Sequence, residues 1–294
     1  MSTLFETKPT KINSLRPLEH EFLKVVETIA HSPKRLYFKG KLPEQRTPTV
    51  AIVGTRRPTS YGKEVTYQLA HELAMRGVVI ISGLAIGVDA IAHQATLDAG
   101  GITIAVLANG IDTVYPATNQ NLAKDILAKG GAIISEYEPG IEARDFQFLN
   151  RNRIVSGLSD AIIITEAAIH SGTMSTAAHA LEQGREVFVV PGNITSPSSA
   201  GCNKLIRQGA CPITCADDVL EVIAPELLTR QSLAPLGSTP LESKIIELIE
   251  SGVRDGEELQ IRTGTDISEF SQTLTLMEIS GSIRALGGNR WTLK

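Results

Sequence analysis

Residues 49–57 read TVAIVGTRR: five apolar or β-branched residues in a row, then a glycine turn carrying two arginines. The run is too short for a buried helix and too continuously apolar for a half-exposed strand, so it predicts a strand covered on both faces. Runs of the same kind recur as VVIIS (78–82), ITIAVL (102–107), AIIS (132–135), AIIIT (161–165) and EVFVVP (186–191). Helical patterns lie between them. Val65, Leu69, Leu73 and Ala74 repeat at helical spacing before Gly77, and Leu122, Ile126 and Leu127 do so before Gly130. Short buried strands alternating with helices predict βαβ units and a doubly wound α/β domain over residues 49–224.

Outward from that block, residues 1–48 are a polar lead-in. Their one amphipathic stretch, Leu18, Phe22, Val25, Val26 and Ile29, predicts a short helix packed on the main domain. Residues 225–238 are proline-rich without periodicity and predict a linker. Residues 239–294 then carry three helical patterns, the first on Ile245, Ile246, Leu248 and Ile249, and end in a hairpin pattern around Gly287 and Gly288. Three helices and a hairpin in so short a segment predict a small winged-helix-like domain.

The 294 residues are 42% hydrophobic and 20% charged, ordinary for a globular protein with a sizeable core. A formal net charge of −4 provides no global field to attract nucleic acid, so any such site must be a local patch. No apolar run approaches the roughly 18–20 residues of a membrane span, and the N-terminus lacks a secretory pattern, so a cytoplasmic location is expected. Cys202, Cys211 and Cys215 are too few for a disulfide framework, and no second ligand pair follows Cys211 and Cys215 at zinc-finger spacing; no metal is expected.

In open parallel sheets, ligands bind beyond the carboxyl ends of the strands. Those positions hold Gly54-Thr55-Arg56, then Gly83 to Gly87 leading to Asp89, then Glu166 followed by Ser171-Gly172-Thr173. Each is a small-residue turn entering a helix, where free main-chain N–H groups meet phosphate. A dinucleotide site is not expected: no second glycine follows Gly54 at the fingerprint spacing, and the second strand ends at Ser82 rather than at an acidic residue. No Walker phosphate loop is present either, and no cofactor is expected. Residues 146–153, FQFLNRNR, place Phe148 beside Arg151, Asn152 and Arg153. Taken alone, this pattern also suits core phenylalanines and solvated arginines at a helix start. Next to the phosphate-ready turns it suits a single strand, whose bases stack on aromatic faces and whose phosphates meet guanidinium forks.

These residues resemble the DNA-processing protein A family, also called DprA or Smf. The resemblance covers residues 34–224 and rests on VAIVGTRRPTSYG (50–62), ISGLAIGVDAIAH (81–93), LANGIDTVYPATN (107–119), ISEYEPG (134–140), RNRIVSGLS (151–159), SGTMSTAAHALEQGREVFVVPG (171–192) and GCNKLIRQGA (201–210). It implies an extended Rossmann-like fold, single-stranded DNA binding, a homodimer, and loading of RecA recombinase on incoming strands during natural transformation. Arg56 is then the expected phosphate contact, Phe148 the stacking ring, and Arg151 and Arg153 line or brace the strand. The chain departs from the family pattern at Leu149, where proline is usual, and at Asp145, where some members carry lysine. The family's dimer face would lie near Gly192 to Gln208. Its N-terminal helix-hairpin-like domain has no counterpart in residues 1–48.

An enzymatic alternative is a nucleotide N-glycosidase of the lysine-decarboxylase-like type. Its P-G-G-x-G-T-x-x-E pattern aligns with Gly172-Thr173, but the glutamate position holds Thr176, leaving the acid or base unfilled. Glu166, Asp89, His93, His170 and His179 have no partner set by spacing, so no catalytic residue is expected. A protein-binding scaffold is the third class, one with no need of Arg56 and residues 151–153 at one sheet edge. From Thr239 to Lys294 there are six Lys plus Arg against nine Asp plus Glu, a net of −3, which disfavours groove binding by the tail.

Overall fold

The computed structural model describes residues 11–228 and 239–293. They form two compact units, divided between Leu228 and Thr229. The first is built on β1 (Asn13–Leu15), β2 (Leu36–Gly40), β3 (Thr49–Val53), α1 (Ser60–Met75), β4 (Val79–Ser82), α2 (Val88–Asp98), β5 (Thr103–Leu107), α3 (Gln120–Ala128) and β6 (Ala132–Ser135). It continues through α4 (Asp145–Gly157), β7 (Ala161–Ile164), α5 (Thr173–Glu182), β8 (Glu186–Val189), α6 (Ala200–Arg207), β9 (Cys211–Pro212) and α7 (Ala216–Ile223).

The nine strands form one sheet in the order β1-β2-β6-β5-β4-β3-β7-β8-β9. Pairing is parallel from β6 to β9, as six buried apolar strands require, and β2 closes the other side antiparallel to β6, with β1 antiparallel to β2. Side chains sort by strand alternation. Ala51, Val53, Ile81, Val106, Ile134, Ile162 and Ile164 pack with α4, α5 and α6 on one face. On the other, Val50, Ile52, Ile80, Ile163 and Phe188 pack with α1, α2 and α7. Order reverses at β3, whose chain neighbour β4 lies on one side and β7 on the other, so a crevice opens between their carboxyl ends.

Three sequence expectations change. The helix expected around Leu18 to Ile29 is instead a pair of 3-10 turns, Pro17–Glu19 and Lys24–Thr28. Leu23, Val26 and Ile29, buried at three-residue spacing, match that tighter winding, while β-branched Val25, Val26 and Thr28 weaken an α-helix; Leu18 is exposed. The lead-in 1–48 does more than pack on the domain, because it supplies β1 and β2. Of the linker expected over 225–238, Pro225–Leu227 makes a 3-10 turn that buries Leu227 in the core, and 229–238 lies outside the described residues.

The second unit has α8 (Pro240–Glu250), α9 (Gly256–Thr263), α10 (Ile267–Ile279) and a hairpin of β10 (Ile283–Gly287) and β11 (Arg290–Leu293). The hairpin turns at Gly288 and Asn289, both at positive φ, as its two-residue connection demands. Its core is Ile245, Ile246, Ile249, Leu259, Phe270, Leu274, Met277 and Ile283. This is the winged-helix arrangement read from the sequence. Among the described residues, no helix is long and apolar enough to cross a membrane.

A phosphate-ready crevice at the sheet switch point

An open cavity of about 460 Å³ lies beyond the ends of β3 and β7. Its lining joins Gly54, Thr55 and Arg56 from the turn after β3 to Ser171, Gly172 and Thr173 at the start of α5, and to Phe148, Arg151 and Asn152 of α4. Nine of the twelve residues expected from the sequence therefore meet here; Gly83, Gly87 and Arg153 do not line it.

The turns are interlocked. Thr55 N–H donates to the Glu166 carbonyl at 2.8 Å, joining the β3 and β7 turns. Val88 N–H donates to the Thr55 carbonyl at 3.2 Å, seating the start of α2 beneath them. A Cβ on Gly54 would stand 2.7 Å from Val88 Cγ2 and 2.9 Å from the Glu166 carbonyl, so only glycine fits. Gly87, at φ +85°, turns beneath Thr55 and Arg56, a supporting role rather than a lining one.

Helix α4 explains why only part of its segment reaches the cavity. Gln147 folds back to accept the Arg144 N–H and starts the helix, and Asp145, Phe148, Leu149 and Asn152 then line the cavity as one stripe at i, i+3, i+4 and i+7. Leu149 stands inside this continuous helix, where the proline usual in the resembled family would remove a main-chain N–H. Arg153 lies about a quarter turn off the stripe. Its guanidinium donates to Glu136 at 2.6 and 3.0 Å and to the His31 carbonyl at 2.9 Å, away from the crevice.

Arg151 is buried at 5% exposure, with Nη1 donating to the Val106 carbonyl. A Cβ on Gly83 would overlap its guanidinium, so that glycine makes room for the arginine. Asp89, also buried, accepts from Gly83 N–H at 3.0 Å and Ala85 N–H at 3.4 Å. Burial pushes the Asp89 carboxyl up, and the Arg151 charge and those two amides pull it back. Burial, with the Arg151 charge second, lowers His93 to about 3, so that ring is neutral at physiological pH and closed off from solvent. Arg151 thus braces the floor, while the exposed cation is Arg56.

Arg56 Cζ lies 5.4 Å from the centroid of the half-buried Phe148 ring, within cation–π range. Helix α5 has Gly172 at its N-cap and no capping side chain; Met174 and Ser175 N–H donate to the Ser171 and Gly172 carbonyls, each at 3.1 Å, and Gly172 and Thr173 line the cavity at the positive end of the helix dipole. By contrast, Glu166 accepts from Thr59 N–H at 2.8 Å and Thr59 Oγ1 at 3.0 Å, beside the start of α1. Its carboxylate is engaged there, away from the cavity lining. The carboxylates that do line the cavity are Asp89, held by the turn, and the exposed Asp145. Thr176, where the N-glycosidase pattern has its glutamate, is buried in the same wall. Leu149, Thr176, Asp145, Asp89, Val53 and Ala85 complete the lining; for the first three, helical spacing from Phe148 and Thr173 was the available signal.

Comparison with known proteins places these features in a family. The model of the DNA recombination-mediator protein A family matches residues 13–224, and that of the DprA winged helix domain matches residues 229–289. The putative DNA processing protein DprA of Mycobacterium tuberculosis is 38% identical over 271 residues, 90% of this chain and 69% of that protein. Protein Smf of Escherichia coli is 43% identical over 189 residues, 64% of this chain, and the match spans only half its length. Among solved structures, DprA from Streptococcus pneumoniae aligns with a TM-score of 0.67 at 38% identity, covering 72% of this chain and 75% of that one. DNA processing protein A from Helicobacter pylori, described for its unique single-stranded DNA binding mode, aligns at 0.65 and 34%, covering 74% and 97%.

Proposed function

The chain belongs to the DprA/Smf family of DNA processing proteins, and from that premise we propose that its crevice grips single-stranded DNA without cutting it. One observation carries this: an exposed arginine, an aromatic ring and an uncapped helix N-terminus converge on one cavity. Arg56 and the amides of Gly172 and Thr173 supply phosphate contacts, Phe148 stacks a base, and Asn152 adds a polar edge. Gly54 and Thr55 let the main chain approach, and Gly83, Gly87, Arg151 and Arg153 hold the frame. The chemistry is holding rather than cleaving, since the crevice carboxylates are one committed to a turn and one alone.

An oligo-dT salt series tests the grip. Arg56→Ala should weaken binding by roughly 1.5–3 kcal/mol, about 10- to 150-fold, and lower the slope of log K against log salt by about one. Unchanged affinity in a folded variant overturns the reading, as does release of adenine from AMP by the wild type.

In the cell, the proposed role is to protect incoming strands and load RecA recombinase during natural transformation, acting as a homodimer. Support comes from family membership alone. Sedimentation of the full chain at twice its 31.5 kDa mass, and faster RecA filament assembly on protein-coated oligo-dT, are the expected results. A monomer, or no acceleration, counts against the corresponding part.

A further inference from the structure

Phe148 has a second neighbour. The Tyr115 ring centroid lies 5.6 Å from that of Phe148, with the rings tilted by 56°. Tyr115 is 50% exposed and stands at the rim, outside the residues that line the cavity itself. Its loop, residues 108–119 between β5 and α3, is fastened at both ends. Buried Asn109 donates through Nδ2 to the Thr113 carbonyl and hydroxyl, each at 2.9 Å, and Asn119 Nδ2 donates to the Leu84 carbonyl at 2.8 Å. Ile111 is buried between these anchors, and Asp112 accepts the Gly140 N–H at 2.8 Å. An exposed ring on a loop secured this way is preorganised, so little conformational freedom remains to be lost when a ligand covers it.

We propose that Tyr115 is a second base-stacking ring, taking the nucleotide next to the one on Phe148. The inference rests on the single-stranded DNA reading of the crevice and extends it by one subsite. Two rings tilted by 56° cannot both lie parallel to the bases of one continuous stack, so the strand unstacks as it passes from the first ring to the second. A duplex, with its bases paired and stacked, presents a free face to neither ring, and the step therefore selects single strands. It discriminates little among bases, since every base has a π-face. Arg56, 5.4 Å from the centroid of the same Phe148 ring, is placed for the phosphate joining the two nucleotides.

The test measures oligo-dT affinity of full-length wild type, Tyr115→Ala, Tyr115→Phe and Arg56→Ala across a salt series, with melting curves to establish folding. Tyr115→Ala should weaken binding about 5- to 150-fold with an unchanged salt slope, because a stacked ring releases no counterions. Tyr115→Phe should stay within about twofold, because stacking needs the ring and not its hydroxyl. Photocrosslinking of wild type to a 5-bromouracil oligonucleotide should mark the peptide containing Tyr115, whatever the variants' stability. The inference alone falls if Arg56→Ala loses affinity while Tyr115→Ala binds like wild type, if the phenylalanine variant is as weak as the alanine one, or if crosslinks avoid Tyr115. Absence of wild-type binding overturns both the inference and the reading beneath it.

Discussion

On the proposed reading, the two units of this chain invert the usual association between shape and nucleic-acid binding. The C-terminal unit has the outline of a DNA reader, three helices and a wing, yet its helix starts are closed to phosphate. Asp255 caps α9 by accepting from Glu257 and Glu258 N–H at 3.0 and 3.1 Å, and Asp266 caps α10 by accepting from Ser268 N–H at 3.0 Å. Two of its cations are engaged as well, Arg262 with Glu258 at 2.6 Å and Lys244 with the Thr263 carbonyl at 3.0 Å, while Arg284 and Arg290 on the hairpin are exposed. The first unit, in a chain of net negative charge, leaves α5 capped by a glycine and Arg56 exposed beside it. On that reading, placement of a few charges and open amides, rather than the outline of the fold, would separate a phosphate site from a look-alike.

The largest expected effect breaks the first unit alone. Arg151→Ala leaves Asp89 buried without its neighbouring charge and empties the space beside Gly83, costing about 3–5 kcal/mol. In thermal unfolding, the transition of the first unit should drop while that of the C-terminal unit, which has its own core, stays put. An unchanged profile would show that Arg151 is no brace. Asp145→Lys sharpens the contrast from the other side. Replacing the exposed carboxylate of the crevice by a cation should tighten oligo-dT binding by roughly 1 kcal/mol, about fivefold, and steepen the salt slope by about one. The same change costs a few tenths of a kcal/mol in stability, since it puts a positive charge in the first turn of α4. No gain in affinity would place Asp145 off the strand's path. The smallest effect is the most direct trial of the comparison: a chain ending at Leu228 should bind oligo-dT within about twofold of the full chain, a difference of roughly 0.4 kcal/mol. A large loss would mean that the acidic unit reads DNA after all.

Much of the fold was legible because buried parallel strands leave a plain trace. Six apolar runs gave six strands, and Gly77 and Gly130, at φ +86° and +87°, closed the helices expected to end there. The flanking strands were obscured for different reasons. β9 is two residues long and contains Pro212, whereas β2, LYFKG, is antiparallel and only partly covered, so it lacks the continuous apolar signature. Within the site, residue type indicated phosphate chemistry, but the distinction between an exposed and a buried arginine depends on helical phase. Arg151 and Arg153 lie on either side of the Phe148 stripe, one reaching under the floor and the other turned towards Glu136. Tyr115 was missed because its partner ring is 33 positions away in sequence and only the fold brings the two together.

The ends of the sheet also constrain how copies of this chain can associate. Among the described residues, the outermost strands are β1, three residues long, and β9, two residues long with a proline that has no N–H to donate. Neither exposes enough free main chain to template another strand, so continuous pairing of one sheet with the next is blocked at both edges. Self-association through the first unit is therefore expected to be built from side chains on helices and loops. Such an interface can be abolished by single substitutions that leave the sheet intact, and the folded nine-stranded sheet offers little edge for strand-to-strand growth.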